Sequence, residues 1–209
     1  MGHSQQDKAA SRRRILEITS AKLRESGAEG PAIGELMKAA NLTHGGFYRH
    51  FESRDALIDE AIESALADGA ARLAAAVAAG MEHGDPFASM VDAYLSEQHR
   101  DQFAESCAVA TLAADVARGS ERARSAYTQQ VSEYLRRFEE LRDESDRAKR
   151  RRRAVPDDSD AARRRRRALL DLSALVGALL MARAVDSPDL SEELISEVAA
   201  ALKESDRRR

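Results

Sequence analysis

The polar groups best suited to contact a charged ligand are concentrated in one short segment, residues 43–50. Its hydroxyl, imidazole and guanidinium side chains donate hydrogen bonds, and no carboxylate interrupts the segment. Two adjacent glycines allow the backbone to approach a groove edge closely, and amides at a helix start can face phosphate. The candidate contact residues are Thr43, His44, Gly45, Gly46, Tyr48, Arg49 and His50.

These residues need two short helices to position them, and the sequence predicts helices over 33–40 and 44–50. Asn41 tolerates the left-handed conformation that ends a helix, and the hydroxyl of Thr43 is expected to cap the second helix. The apolar contacts that fix the crossing of the two helices are expected at Leu36, Ala40, Leu42, Phe47 and Phe51. This layout is that of a helix-turn-helix.

The whole chain is predicted to be all-α. Alanine, the best helix former, supplies 40 of 209 residues, whereas aromatic residues make up 4% and no tryptophan is present. About nine helices are expected, at 7–26, 33–40, 44–50, 53–80, 86–98, 107–118, 120–151, 160–185 and 191–204. Gly27 is expected to end the first, and Ser53, Asp85 and Ser191 to mark the starts of others.

Charge and helix punctuation together predict two domains. Residues 1–53 form a helix-turn-helix domain, and residues 54–209 form a helical ligand-binding and dimerisation domain. The segment 54–146 has 9 basic and 19 acidic residues, whereas 147–167, an arginine-rich linker and helix start, has 11 basic and 3 acidic residues. Because residues 54–146 are acidic overall, the sequence excludes a protein that coats nucleic acid over its whole surface. Any contact with nucleic acid must therefore be local.

Residues 10–63 resemble the DNA-binding region of the TetR/AcrR family of transcriptional regulators. The match is strongest over Leu-Thr-His-Gly-Gly-Phe-Tyr-Arg-His-Phe (42–51) and Ser-Arg-Asp-Ala-Leu (53–57). The resemblance implies that Tyr48 and His50 contact phosphates, that Arg54 replaces a phosphate-binding lysine, and that 43–45 face the major groove. Two departures are Ala32, where a capping threonine is common, and Asn41, which replaces a turn glycine.

The resemblance implies a ligand-responsive regulator, more often a repressor, that binds a palindromic operator as a homodimer. Bulky residues that are surplus among the alanines are expected to line the pocket of an apolar or aromatic effector: Met90, Tyr94, Phe103, Cys107, Tyr127, Phe138 and Met181. The dense apolar series of the last two helices predicts a four-helix dimer interface. Its members are Leu169, Leu172, Leu175, Val176, Leu179, Leu180, Leu194, Ile195, Val198 and Leu202.

Two features keep alternative interpretations open. The arginine runs 150–153 and 163–167 could attract DNA nonspecifically, or they could be solvated helix ends flanking a loop. Cys107 could sense oxidants, but no Lys, Arg or His lies within four residues to activate it, so a buried inert thiol is the simpler interpretation.

A helical protein-interaction module with a vestigial helix-turn-helix is the alternative to a regulator.

Catalysis has little support in the sequence. The histidines at 3, 44, 50, 83 and 99 lack metal-ligand spacing, and Cys107 has no identifiable base, although a small enzyme built around it is a third hypothesis. No cofactor and no metal are expected. The apolar stretch 168–182 is too short to span a membrane, the N-terminus lacks the apolar core of a signal peptide, and a single cysteine fits a reducing cytoplasm.

Overall fold

A computed structural model describes residues 5–83, 85–149 and 158–207. All regular structure in these residues is helical, which confirms the all-α prediction. The α-helices are α1 (Gln5–Ser26), α2 (Ile33–Ala39), α3 (Arg54–His83), α4 (Pro86–Tyr94), α5 (Glu97–Asp101), α6 (Ala108–Thr111), α7 (Ala113–Arg118), α8 (Glu121–Lys149), α9 (Asp158–Ala184) and α10 (Pro188–Arg207). The 3₁₀ helices are η1 (His44–Arg49) and η2 (Phe103–Glu105).

The helices form two compact units. The first contains residues 1–69 and 103–128, so the helix-turn-helix segment shares a unit with η2, α6 and α7. The second contains residues 70–102 and 129–209. The long helices α3 and α8 contribute to both units. The functional division at residue 53 remains a prediction.

The turn of the helix-turn-helix has the expected backbone. Asn41 adopts a left-handed conformation with φ of 58°, and the amide of Leu42 donates to the Met37 carbonyl at 2.8 Å. This pattern satisfies the exposed carbonyls at the end of α2, as in a Schellman motif. Gly27 ends α1 with φ of 74°, as predicted.

The second helix of the motif differs from the prediction in type. Residues 44–49 form the 3₁₀ helix η1, because the segment is short and Gly45 and Gly46 have low helix propensity. The expected cap from Thr43 is wrong, since its side chain makes no capping hydrogen bond at this helix start. The amide of Gly46 donates instead to the Thr43 carbonyl at 2.9 Å.

Two predicted helices are each divided. The segment 86–98 becomes α4 and α5, because Leu95 leaves the helical conformation and Ser96 caps a new helix by accepting from the His99 amide at 3.1 Å. The segment 107–118 becomes α6 and α7, with the break at Leu112. The Asp85 cap is confirmed, since its carboxylate accepts from the Ala88 amide at 2.9 Å.

The starts of α3 and α10 test two further caps. The Ser53 hydroxyl accepts from the Ala56 amide at 3.0 Å, as predicted. The Ser191 cap is wrong, because α10 already begins at Pro188. Ser191 is buried, and its hydroxyl donates to the Ala182 carbonyl at 2.7 Å, which links α10 to α9.

The core of the first unit holds the helix-turn-helix together. Its buried cluster comprises Ile15, Leu36, Met37, Ala40, Phe47, Phe51 and Leu57, with Leu16, Ile18, Ile33 and Leu42 packed against it. All five apolar contacts expected for the motif therefore belong to this core. At the other end of α1, buried Arg24 donates to the Ala104 carbonyl at 2.5 Å, and Asp115 accepts from the Ala28 amide at 3.1 Å. These bonds tie α1 and its following turn to η2 and α7.

The core of the second unit surrounds a buried ion pair. Arg142 on α8 donates twice to the Asp171 carboxylate on α9, at 2.9 Å each, and both side chains are at most 5% exposed. The Arg142 guanidinium also lies 3.6 Å from the ring centroid of Phe87 on α4, which meets Phe138 edge-on at 6.4 Å. This pair and its aromatic contacts link α4, α8 and α9.

Candidate DNA-binding site

The residues of η1 point in opposite directions. Phe47 is fully buried, whereas the neighbouring Tyr48 is 70% exposed and leans edge-on against Phe47 with 5.2 Å between ring centroids. Phe47 also stacks with Phe51 at 5.8 Å. The buried rings therefore anchor a short helix whose outer surface remains accessible.

The predicted contact residues lie on that outer surface. Thr43, His44, Gly45, Tyr48 and Arg49 are exposed, and Gly46 and His50 are half-buried. The structure brings them together through one six-residue helix and its two caps. Their assignment as DNA contacts remains a prediction.

The two glycines of η1 have different surroundings. A Cβ at Gly45 would meet no atom within 4 Å, so the protein itself leaves this position open. A Cβ at Gly46 would meet Thr43 Oγ1 at 3.5 Å and Met37 Cε at 3.7 Å, which are ordinary contacts. Neither glycine has a positive φ, so neither is required by backbone conformation.

Arg12 on α1 braces the end of η1, and sequence reasoning missed it. Its Nε donates to the His50 carbonyl at 3.4 Å, its guanidinium lies 4.8 Å from the Phe51 ring centroid, and it forms an ion pair with Glu60 on α3. The sequence signal was available: Lys8, Arg12 and Ile15 recur at the spacing of one helix face.

His50 lies in a positively charged environment. Its Nδ1 is buried and has no hydrogen-bond partner among the described residues. Burial of the ring lowers the pKa of His50 below its usual value, and the positive charges of Lys8, Arg12 and Arg49 lower it further. Burial and the neighbouring positive charges therefore both favour the neutral imidazole.

Arg54 is engaged within the protein. Its Nη2 donates to the Ala28 carbonyl at 2.7 Å and lies 3.4 Å from the Pro31 carbonyl. Arg54 thus holds the turn between α1 and α2 against the start of α3. Its expected role as a phosphate contact remains a prediction.

The seven residues expected to line an effector pocket are divided between the two units. In the second unit, Met90 and Phe138 are buried, Tyr94 is half-buried, and Met181 is 51% exposed. In the first unit, Cys107 is buried, Tyr127 is half-buried, and Phe103 is 41% exposed.

Two local contacts involve residues of this set. The Tyr127 hydroxyl donates to the Val109 carbonyl at 2.7 Å, and burial, followed by the charge of Cys107, raises the pKa of Tyr127. Tyr94 meets the His99 ring edge-on at 4.7 Å, and burial lowers the pKa of His99. The effector pocket remains a prediction.

The predicted dimer residues differ in burial and occupy neighbouring faces of α9 and α10. Leu172, Leu175 and Leu179 are buried within the protomer, as are Ile195 and Leu202. In contrast, Leu169 and Leu180 are exposed, and Val176, Leu194 and Val198 are half-buried. The interface prediction therefore mixes residues of the internal core with residues of an outer surface.

The arginine-rich segment is described in part. The run 150–153 lies outside the described residues. The run 163–167 lies in α9, where Arg165 forms an ion pair with Glu139 of α8 at 3.1 Å.

Two features are absent from the described part of the chain. No helix there has the length and apolar character to cross a membrane. The same residues contain no group of three or more His, Cys, Asp or Glu placed to hold a metal ion.

Comparison with known proteins identifies the fold. No protein-family model matches the sequence, and no curated protein matches it. Among solved structures, a TetR-family transcriptional regulator from Cytophaga hutchinsonii aligns with a TM-score of 0.73 and 18% identity, covering 98% of both chains. A TetR transcriptional regulator from Chloroflexus aurantiacus aligns with a TM-score of 0.74 and 22% identity, covering 95% of this chain and 97% of that chain.

The chain therefore has the all-α fold of TetR-family transcriptional regulators, and the expectation from residues 10–63 is confirmed at the level of fold. The superantigen PfiT also has this fold, with a TM-score of 0.57 and 18% identity over 93% of this chain and 95% of that chain. Because one fold carries different activities, function must be argued from the site.

Proposed function

We propose that this protein is a transcriptional regulator that binds a palindromic operator as a homodimer and releases it when a small molecule binds. Residues 1–53 read the DNA, and residues 54–209 bind the effector and dimerise. Its role is regulatory rather than catalytic. It acts in the cytoplasm, where it has access to the operator DNA. The similarity of the fold to TetR-family regulators supports this proposal.

The observation that carries the proposal is the outer surface of η1. Tyr48 is 70% exposed although the helix is anchored by fully buried Phe47. An exposed tyrosine beside Arg49 and His50 gives donors for phosphate oxygens on a rigid support. Open space at Gly45 allows the backbone to reach a groove edge.

Dimerisation uses an outer face of α9 that flanks the core-facing leucines. Leu169, Val176 and Leu180 lie on this face, and exposed Met181 lies on its border with Leu170. Gly177 lies on the same side, and a Cβ there would meet no atom within 4 Å. An apolar outer face with open space suits the close approach of a second copy in a four-helix bundle.

The effector is an apolar or aromatic small molecule bound by a subset of the seven pocket residues. Buried Met90 and Phe138, both in the second unit, are the strongest members, because they combine bulk with restricted exposure. Met181 is the weakest, because it is exposed on α9 near the proposed dimer face. Release requires the effector to bind the DNA-incompetent arrangement more tightly.

The test is a mobility-shift titration with the DNA upstream of the protein's own gene at 50 and 200 mM salt. Wild type is compared with Tyr48→Ala and with Met81→Ala, a control that removes another large exposed apolar side chain. We expect saturable, salt-sensitive binding that Tyr48→Ala abolishes and Met81→Ala preserves. No shift with this DNA or with random genomic fragments contradicts the proposal.

A protein-interaction module is the second candidate, because a superantigen shares the fold. Salt dependence separates the two functions. DNA binding releases counterions and weakens steeply with ionic strength, whereas association through apolar helices does not.

A further inference from the structure

One face of α1 lies across the end of η1. Lys8, Arg12 and Ile15 follow one another at helical spacing on this face. Ile15 is fully buried in the helix-turn-helix core, and Arg12 contacts both the His50 carbonyl and the Phe51 ring. Lys8, one turn before Arg12, is therefore directed toward the same end of η1.

The charges at this junction are not balanced. Glu60 forms an ion pair with Arg12, but Lys8 and Arg49 are exposed and have no ion pair or hydrogen bond with any described residue. Lys8 also lies in the first turn of α1, where the helix dipole favours an anion. The half-buried His50 adds an imidazole whose Nδ1 has no partner in the described chain. The junction combines two unpaired cations with a donor-capable ring.

We propose that Lys8 on α1 and His50 at the end of η1 together bind one phosphodiester group of the operator DNA. The DNA-contacting surface then extends from the helix-turn-helix onto the first turn of α1. This inference rests on the proposed function, and Lys8 is its new element. A DNA phosphate is the expected anion because the junction adjoins the exposed surface of η1 that carries Tyr48 and Arg49.

The first test is the salt dependence of DNA affinity, measured by fluorescence anisotropy with the upstream DNA. Each neutralised phosphate contributes about 0.9 to the slope of log K against log salt concentration. Lys8→Gln should reduce that slope by about 0.9 for each protomer bound. The matched control is Arg14→Gln, which removes an exposed charge from the other side of α1 and should leave the slope unchanged.

The second test is the pH dependence of the same affinity. Burial lowers the pKa of His50, and the positive charges of Lys8 and Arg12 on α1 and Arg49 on η1 lower it further. The carboxylate of Glu60 on α3 is paired with Arg12. A bound phosphate favours the protonated ring, so DNA binding takes up a proton. Affinity should increase as the pH falls from 8 to 6, by at most about tenfold per pH unit for each His50. His50→Gln should remove this dependence.

The outcomes separate this inference from the proposed function. If no DNA is bound by wild type, the proposed function fails. If DNA is bound and Tyr48→Ala abolishes binding, but Lys8→Gln keeps the wild-type salt slope, then only the α1 phosphate site is overturned. The α1 phosphate site is also overturned if His50→Gln keeps the wild-type pH dependence of DNA affinity. Circular dichroism of each variant verifies folding, which is expected because Lys8 is exposed.

Discussion

Phe47 and Tyr48 show how adjacent residues divide structural and functional work. Phe47 is enclosed by the helix-turn-helix core, so its replacement would disturb packing. Tyr48 contacts the core mainly through an edge-on approach to Phe47 and is otherwise exposed. Removing the Tyr48 ring therefore tests binding with little effect on folding.

Gly45 allows a sharper test of backbone approach. A Cβ at this position meets nothing in the protein, so Gly45→Ala should change the free energy of unfolding by no more than about 1 kcal/mol, in the stabilising direction. DNA affinity should fall at least about tenfold, a loss of ~1.4 kcal/mol, because the methyl group separates the η1 backbone from the groove edge. Thermal unfolding and anisotropy titration measure the two effects.

The control for Gly45→Ala is Gly34→Ala, the same change on α2. A Cβ at Gly34 would lie 3.6 Å from His44 Nδ1, an ordinary contact, so stability and DNA affinity should both be retained. Wild-type affinity in Gly45→Ala would show that the backbone at this position does not approach DNA.

At the scale of the elements, a buried ion pair joins α8 to α9. Arg142 and Asp171 are almost fully buried, and the guanidinium is also stacked on Phe87. Removing one partner leaves the other charge buried without compensation, which is among the costliest single changes in a protein.

Arg142→Met should therefore lower the free energy of unfolding by about 3–5 kcal/mol in urea titrations. Arg137→Met, which removes a partly exposed arginine paired with Glu140 on the same helix, should cost about 1 kcal/mol or less. The double variant Arg142→Met/Asp171→Leu should recover much of the loss. A cost for Arg142→Met equal to that for Arg137→Met would contradict the assigned role of the pair.

Sequence rules predict helix boundaries well where the chemistry of a single residue sets the boundary. Asn41, Gly27, Ser53 and Asp85 were identified as helix boundaries because their backbone or side-chain chemistry acts within a few residues. The break at Leu112 was missed because leucine carries no stop signal. Arg12 was missed as part of the site because its partners, His50 and Glu60, are 38 and 48 residues away.

On the scale of the whole molecule, α9 is apolar on two neighbouring sides. Leu172, Leu175 and Leu179 face the core of their own unit, whereas Leu169 and Leu180 face outward. Periodicity counted all of them as interface residues, because sequence alone does not show which apolar side the protomer itself covers. The proposed second copy would cover the side of α9 that the protomer leaves exposed.

Leu180→Arg tests the second partner. In a two-fold interface the change places a charge on each side of the contact, so the homodimer should dissociate while the protomer keeps its helical content. Met81→Arg, which alters an exposed apolar residue of α3, should leave the dimer intact. Light scattering after size-exclusion chromatography gives the mass of each variant. A Leu180→Arg dimer of wild-type affinity would exclude this face of α9 as the interface.

The bonds of Arg24 and Asp115 limit how this protein can be re-engineered. Under the proposed function, a biosensor would graft the DNA-reading portion of this protein onto the sensing portion of another regulator. Here the end of α1 donates to the Ala104 carbonyl, and the Ala28 amide depends on Asp115. A chimera joined after residue 53 would sever both bonds, whereas one that transfers residues 1–69 and 103–128 together would carry the whole first unit.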